Sequence, residues 1–223
     1  MLCIDRIYLA HYTPLAERKA NMLDQLTRLK LEAQWVECEP NENFISQWYS
    51  EKQWDEKFTN MGTQIYPSKR QLKKSEISLE YKHIKIYEDI VKNNISSALI
   101  LEDDAVLCEN FASKFNFNMM STPMDWDFIF IGDCCNLRIP KNRIVDGRIA
   151  YRKEHPASKC TDSYVIKNES ARKILETIKP FTFPIDFELN YQMHLHNMNV
   201  YWWEPPLVTQ GSQNGMYSSE IQL

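Results

Sequence analysis

Residues 97–101 read Ser-Ala-Leu-Ile-Leu and run directly into three consecutive acids, Glu102, Asp103 and Asp104. An apolar stretch without alternation has no face to show to water, so as a strand it belongs in the middle of a sheet covered on both sides. That is the setting of an α/β fold, in which ligands bind in the crevice beyond the carboxyl ends of the strands. The three acids stand at that end. Adjacent carboxylates repel one another, which costs stability unless a cation or basic groups offset the charge. Oxygen donors suit a hard divalent ion, magnesium or manganese, and such an ion can bridge a diphosphate and neutralise its charge as it leaves. Taken alone, the same triplet also fits a solvated acidic turn.

The flanking sequence supports the α/β reading. A strand pattern over residues 4–10 gives way, after Thr13-Pro14, to Met22, Leu23, Leu26 and Leu29 at helical spacing. A second strand is expected over 33–38, and residues 41–66 read as loop with helical turns. From Ser75, a candidate N-cap, Ile77, Tyr81, Ile84, Tyr87, Ile90 and Val91 form a helical stripe that ends at Asn93-Asn94. Further strands are expected over 127–132, 148–152, 161–167 and 200–203, with helices over 170–178 and 186–196. Alternating elements of this kind predict a mostly parallel sheet flanked by helices, in one domain over 1–223.

Charge narrows the function classes. With 26 Lys and Arg against 30 Asp and Glu, the chain lacks the concentrated basic surface that nucleic acid or an anionic membrane requires. The six cysteines have no CxxC pair and read as reduced, mostly buried thiols, not as a zinc site. The opening residues pass straight into a strand without a signal-peptide pattern, and no stretch is apolar enough to span a bilayer. A soluble cytoplasmic protein is the expectation.

Several segments in order carry a family resemblance: Ile7-Tyr8-Leu9 with Glu17-Arg18, Ser75-Glu76-Ile77 with His83-Ile84, and Ala98 through Glu102-Asp103-Asp104-Ala105. Asp125 through Gly132, Thr161 to Tyr164, and Pro184-Ile185-Asp186 with Leu189 continue it. Together they resemble glycosyltransferase family 25, which includes lipopolysaccharide-biosynthesis transferases and collagen galactosyltransferases. The resemblance implies a GT-A type fold, a Rossmann-like donor-binding half over about 1–110 joined to an acceptor-side half over about 111–223. It also implies inversion at the anomeric carbon, a nucleoside-diphosphate sugar donor, taken as UDP-linked, a glycan or glycoprotein acceptor, and a Mn2+ or Mg2+ cofactor. Galactose, glucose, rhamnose and other donor sugars stay open. The chain departs from the family at Ser75, Ser78 and Lys82, where glycines around the glutamate and a serine before the histidine are common.

Site residues follow from these readings. Glu102 and Asp104 are the expected metal ligands, and Glu102 and Asp103 face the donor. Ala10, His11 and Tyr12, after the first strand, are placed against the nucleotide, with Arg18 on a phosphate or a structural carboxylate. Glu76 and His83, seven residues apart on one helix, share a face and are expected to floor the pocket; a hydrogen-bonded core histidine is the plainer reading of His83. Inversion needs a base on the acceptor side. Asp186 is that base by its match to the family, with a helix cap as the rival reading and Glu188 in reserve. Trp126, Trp202 and Trp203 are candidates for stacking on an acceptor sugar, although aromatic residues in apolar strands are more often core. Residues 210–221 resemble a C-terminal segment that closes over the donor, or else form a free tail. A sugar-binding or scaffold relative that has lost turnover is the rival function.

Overall fold

The computed structural model describes residues 2–59, 69–153 and 158–217. The chain opens with β1 (Arg6–Ala10), α1 (Ala16–Leu29), β2 (Gln34–Val36), α2 (Glu42–Trp48), α3 (Trp54–Thr59) and α4 (Lys74–Lys92). Then come β3 (Ser97–Glu102), β4 (Ala105–Leu107), α5 (Phe111–Ser121), β5 (Phe128–Phe130) and β6 (Ala150–Arg152). It closes with β7 (Ser163–Lys167), α6 (Asn168–Thr177), α7 (Ile185–Leu195), β8 (Val200–Trp203) and β9 (Val208–Gln210). Seven strands form one sheet in the order β2-β1-β3-β7-β5-β8-β6, and β4 pairs with β9 apart from it. All run the same way except β7 and β6, which are antiparallel to their neighbours.

The period of two along each strand divides the core. Ala98 and Ile100 of β3, with Tyr8, Phe128, Phe130, Tyr164 and Trp202, pack under α4, α6 and α7. Leu99 and Leu101, with Ile7, Leu9, Ile129, Val165 and Trp203, pack against Met22 and Leu26 of α1 and Phe111 and Phe115 of α5. Both faces of β3 are therefore covered, as its unbroken apolar run demands, and the residues from Ala98 to Leu101 have no exposed surface.

Several local expectations change. Lys73, not Ser75, caps α4, because the Glu76 carboxylate reaches back to accept from the Lys73 backbone N–H at 2.7 Å. Residues 41–59 hold α2 and α3, and 60–66 lie outside the described residues. The helix α5 was not expected from the sequence. Cys3, Cys38 and Cys135 are exposed and Cys108 half-buried, and Cys160 is disulfide-bonded. Six reduced, buried thiols are therefore not what the chain holds; several of these cysteines fall on the connections just outside strands. Among the described residues, no helix is long and apolar enough to cross a membrane.

One contact fastens the turn after β3 to α1. The buried Gln25 side chain donates to the Ala105 carbonyl at 3.1 Å and accepts from the Leu107 N–H at 2.8 Å. Gln25→Ala strands a backbone donor and an acceptor away from water, which costs about 1–3 kcal/mol for a buried unpaired group. Urea unfolding is expected to show a lower midpoint at unchanged slope; an unchanged midpoint removes Gln25 from this role.

Candidate functional site

The carboxyl ends of β1 and β3, the start of the antiparallel β7 and the first turns of α1, α4 and α7 meet at one edge of the sheet. The three acids after β3 part company there. Asp103 follows the parity of Leu99 and Leu101 and turns toward α1. Its Oδ2 accepts from His11 Nδ1 at 2.8 Å and from the Tyr12 N–H at 3.1 Å, and its Oδ1 from Arg18 Nη1 at 3.0 Å. Burial alone raises a carboxyl; the bonds from His11, Tyr12 and Arg18 outweigh it and hold Asp103 below the usual carboxylate range. Because Nδ1 faces an acceptor-only carboxylate, it donates. The other ring nitrogen, Nε2, is buried without a hydrogen-bond partner, 3.9 Å from Glu37 Oε1.

Asp104 is left in the opposite condition. Its Oδ1 is buried with no hydrogen-bond partner, and Arg18 Nη1 stands 3.8 Å from its Oδ2. Burial, then repulsion from Glu102, pushes its carboxyl up to about 6. The chain's end folds back onto it: the Gly211 N–H donates to the Asp104 carbonyl at 2.7 Å, and the Tyr217 ring lies 5.3 Å from the Arg18 guanidinium. A Cβ on Gly211 would stand 2.6 Å from the Tyr217 ring, so the close return of this segment needs glycine. Residues 210–217 thus cover the acidic turn, and 218–221 lie outside the described residues.

Glu102 follows the parity of Ile100 and faces α4 and α7. Its Oε1 accepts from Thr161 Oγ1 at 2.5 Å and lies 3.8 Å from His83 Nε2. Next to it, Asp162 is buried against Gly132, where an added Cβ would meet Asp162 Oδ2 at 1.9 Å. Asp162 Oδ1 has no partner, and burial together with Glu102 raises its carboxyl well above the ordinary value. Lys159 donates to the Gly132 carbonyl at 2.6 Å, and burial lowers its ammonium to about 8.

Asp186 enters from the first turn of α7. Pro184 occupies the cap position, and the Asp186 carboxylate accepts from the neighbouring Phe187 N–H at 2.9 Å and from its own backbone N–H. A helix cap therefore does not explain it. Close packing around the carboxyl, with Glu102 adding repulsion, pushes Asp186 up to about 7. Glu188 is committed elsewhere: it accepts from Lys57 Nζ at 2.6 Å and from the Thr182 and Phe183 N–H groups at 3.0 and 3.3 Å. The reserve candidate is thus a structural anchor.

A cleft beside the acidic turn is lined by Ala10, His11, Tyr12, Arg18, Lys82 and Glu102, with Ser75, Ser78 and Asp103 completing its polar wall. The expected nucleotide contacts after β1 are brought together here. Glu76 and His83 do not line it. Glu76 turns to Arg70, whose two Nη atoms donate at 2.6 and 2.7 Å, and His83 bonds Tyr164 Oη at 2.7 Å inside the core. Trp126, Trp202 and Trp203 are buried core residues. Lys82 and Ser78, noted in the sequence only as departures from the family pattern, line the cleft; Asp162 and Gly132 fall in the family-resembling segments, whereas Lys159 carries no sequence signal.

The site is thus an acidic strand end beside a cleft in a helix-flanked, mostly parallel sheet. Residues 5–189 match the sequence profile of glycosyltransferase family 25 (LPS biosynthesis protein), and the chain belongs to that family. It is 30% identical over 138 residues to procollagen galactosyltransferase 1 of Danio rerio, covering 59% of this chain and 22% of that protein. It is 22% identical over 137 residues to the probable inactive glycosyltransferase 25 family member 3 of Rattus norvegicus, covering 57% of this chain and 22% of the relative. The chain thus spans under a quarter of either relative's length. Among solved structures, a glycosyltransferase involved in glycosylation of the PBCV-1 major capsid overlays with TM-score 0.46 at 10% identity, over 98% of this chain and 96% of that one.

The two neighbouring acids have opposite stability roles. Asp103→Asn removes the anion that Arg18 and His11 enclose, and breaking a buried pair costs about 3–5 kcal/mol. Asp104→Asn removes a charge that burial and Glu102 already disfavour, so its melting temperature is expected to equal or exceed wild type. Thermal melts of both variants check this; equal losses would mean that Asp103 is not the clamp.

Proposed function

We propose that the chain is an inverting, divalent-metal-dependent glycosyltransferase that moves a sugar from a nucleoside-diphosphate donor, UDP in the first instance, to a hydroxyl of a glycan or protein. One observation carries this reading. Asp186 and the Glu102–Asp104 turn, far apart in sequence, lie close enough at one sheet edge that Glu102 raises the Asp186 carboxyl.

A carboxylate poised near neutrality is a good proton acceptor at physiological pH. Asp186 takes the proton of the acceptor hydroxyl as that oxygen attacks the anomeric carbon opposite the diphosphate, and the bond to the diphosphate breaks. The donor set suits a hard cation. Asp104 offers a buried oxygen with no other partner, Glu102 a second carboxylate, and both are held where like charge is unfavourable without one. Among the described residues, no three His, Cys, Asp or Glu side chains form a ready metal cage; magnesium-type ions use one or two carboxylates and complete their shell with substrate phosphates and water. Bound there, the ion supplies charge neutralisation for the departing diphosphate. Ala10, His11 and Tyr12 receive the nucleoside in the adjoining cleft. The galactose in the zebrafish relative's name makes UDP-galactose the first donor to try.

Hydrolysis and transfer assays with manganese over a panel of nucleotide sugars test the function. Turnover with one donor is expected; nucleotide binding without turnover of any donor would mark a silent relative, the condition named for the rat protein. Calorimetric titration with UDP is expected to require manganese, and equal affinity in chelator would sink the metal assignment.

Asp186→Asn keeps the acceptor for the Phe187 N–H but not the basicity. It is expected to lower kcat about a hundredfold or more, the usual scale for a missing acid-base group, at unchanged melting temperature and UDP affinity. For wild type the base must be ionised, so kcat/KM falls as pH drops below about 7. A profile flat through neutrality, or an active Asn variant, assigns the proton transfer to another group.

A further inference from the structure

The α4 wall of the cleft holds a charge pair that the chemistry above leaves unused. Ser78 and Lys82, one helical turn apart, both line the cleft. Lys82 is only 2% exposed, and its Nζ donates to Glu39 Oε1 and to Ser78 Oγ, each at 2.6 Å. Ser78 Oγ in turn donates to Glu39 Oε2 at 2.5 Å, which closes a triangle. The Lys82 ammonium also lies 5.8 Å from the centre of the Tyr12 ring. Glu39 itself stands three residues beyond the last residue of β2, at the same sheet edge as the acidic turn, with 41% of its side chain exposed.

A carboxylate has about four lone-pair positions. Lys82 and Ser78 occupy one on each oxygen, so one on each remains, fixed in place and open to a ligand. Two acceptors side by side match a ligand with two neighbouring donors, and hydroxyls on an ionised carboxylate make short, strong bonds. His11, which also lines the cleft, has a buried Nε2 without a hydrogen-bond partner, 3.9 Å from Glu37 Oε1. The pair also neutralises Lys82, so its ammonium is poorly suited to anchor a phosphate. An acid just past a strand of a nucleotide-binding sheet is placed to receive ribose hydroxyls.

We propose that Glu39, clamped by Lys82 and Ser78, receives the 2′ and 3′ hydroxyls of the donor nucleotide and makes this chain select ribonucleotides. This rests on the reading of the cleft as the nucleotide site. It gives a role to the triangle that Lys82, Ser78 and Glu39 form on the α4 wall.

Isothermal titration in manganese with UDP, 2′-deoxy-UDP and 3′-deoxy-UDP tests it. Wild type is expected to bind UDP about tenfold or more tightly than either deoxy analogue, the scale of one lost hydrogen bond to a charged group. Glu39→Gln is expected to bring that ratio close to one, with a large loss for UDP and a smaller one for each deoxy analogue, which keeps one of the two hydroxyls. Ser78→Ala, which frees one carboxylate oxygen, should give an intermediate ratio. Melting curves show that the variants are folded; Glu39 is exposed enough for Gln to be tolerated. Wild-type binding that ignores the hydroxyls overturns the proposal alone, as does a Glu39→Gln loss equal for UDP and its deoxy forms. Failure of wild type to bind UDP, GDP or CDP overturns the nucleotide reading of the cleft along with it.

Discussion

Three carboxylates on consecutive residues can stand at the end of a buried strand only if each is turned into a different environment. The strand's own alternation does this. Glu102, in phase with Ile100, faces the α4 and α7 layer; Asp103, in phase with Leu101, faces α1; Asp104 lies under the returning segment at Gly211. Asp103 is then neutralised from within by Arg18 and His11. That one clamp ties β3, the loop after β1 and α1 into a single edge, and beside it Asp104 keeps a buried oxygen without a hydrogen-bond partner. Without it, Asp103 would be a buried anion with no partner beside two further carboxylates, a cost of about 3–5 kcal/mol.

The same edge explains why residues far apart in sequence share a field. Glu102 lies beside Asp162 through the β3–β7 pairing, where the Glu102 N–H donates to the Asp162 carbonyl at 2.9 Å. Because β7 runs antiparallel, its first residues, not its last, meet the carboxyl end of β3. Gly132, just past β5, has no side chain to obstruct the Asp162 carboxylate. Reversal of one strand in an otherwise parallel set thus adds an acid to an edge that a purely parallel sheet would line with strand ends alone.

Legibility in the sequence followed the range of the interactions. The run 97–104 spoke through a local rule, apolar continuity followed by charge, and the helical stripe of α4 through its period. The position of Asp186 came from resemblance. The direction of β7 left no trace, because a five-residue apolar strand reads the same either way. The helix α5 buries only Phe111, Phe115 and Asn118 and exposes Phe117 and Met120, so its stripe is too thin to stand out. Glu188 stands in reserve as a base in the sequence because its partner, Lys57, lies 131 residues away, and Glu39 gives no signal because Lys82 lies 43 residues off. Pairings at such separations are made by the fold and cannot be counted along the chain.

Asp186 and Glu188 show how two acids on one helix come into opposite surroundings. Two residues apart on a helix, they are turned by roughly 200° from one another and enter different surroundings. Glu188 meets an ammonium and two backbone donors, which together satisfy both of its oxygens and fix the approach of α3 and the 182–183 loop to α7. Asp186 meets only local backbone donors, and burial, with the field of Glu102, disfavours its anion. The division repeats between Asp103, enclosed by donors and held ionised, and Asp104, buried with an oxygen unmet and pushed toward protonation. In each pair the saturated acid places the other. An anion already bonded on both oxygens has little left to offer a proton or a cation, whereas the unsatisfied one keeps both its affinity and its cost, and the saturated neighbour is what makes that cost bearable at the same edge.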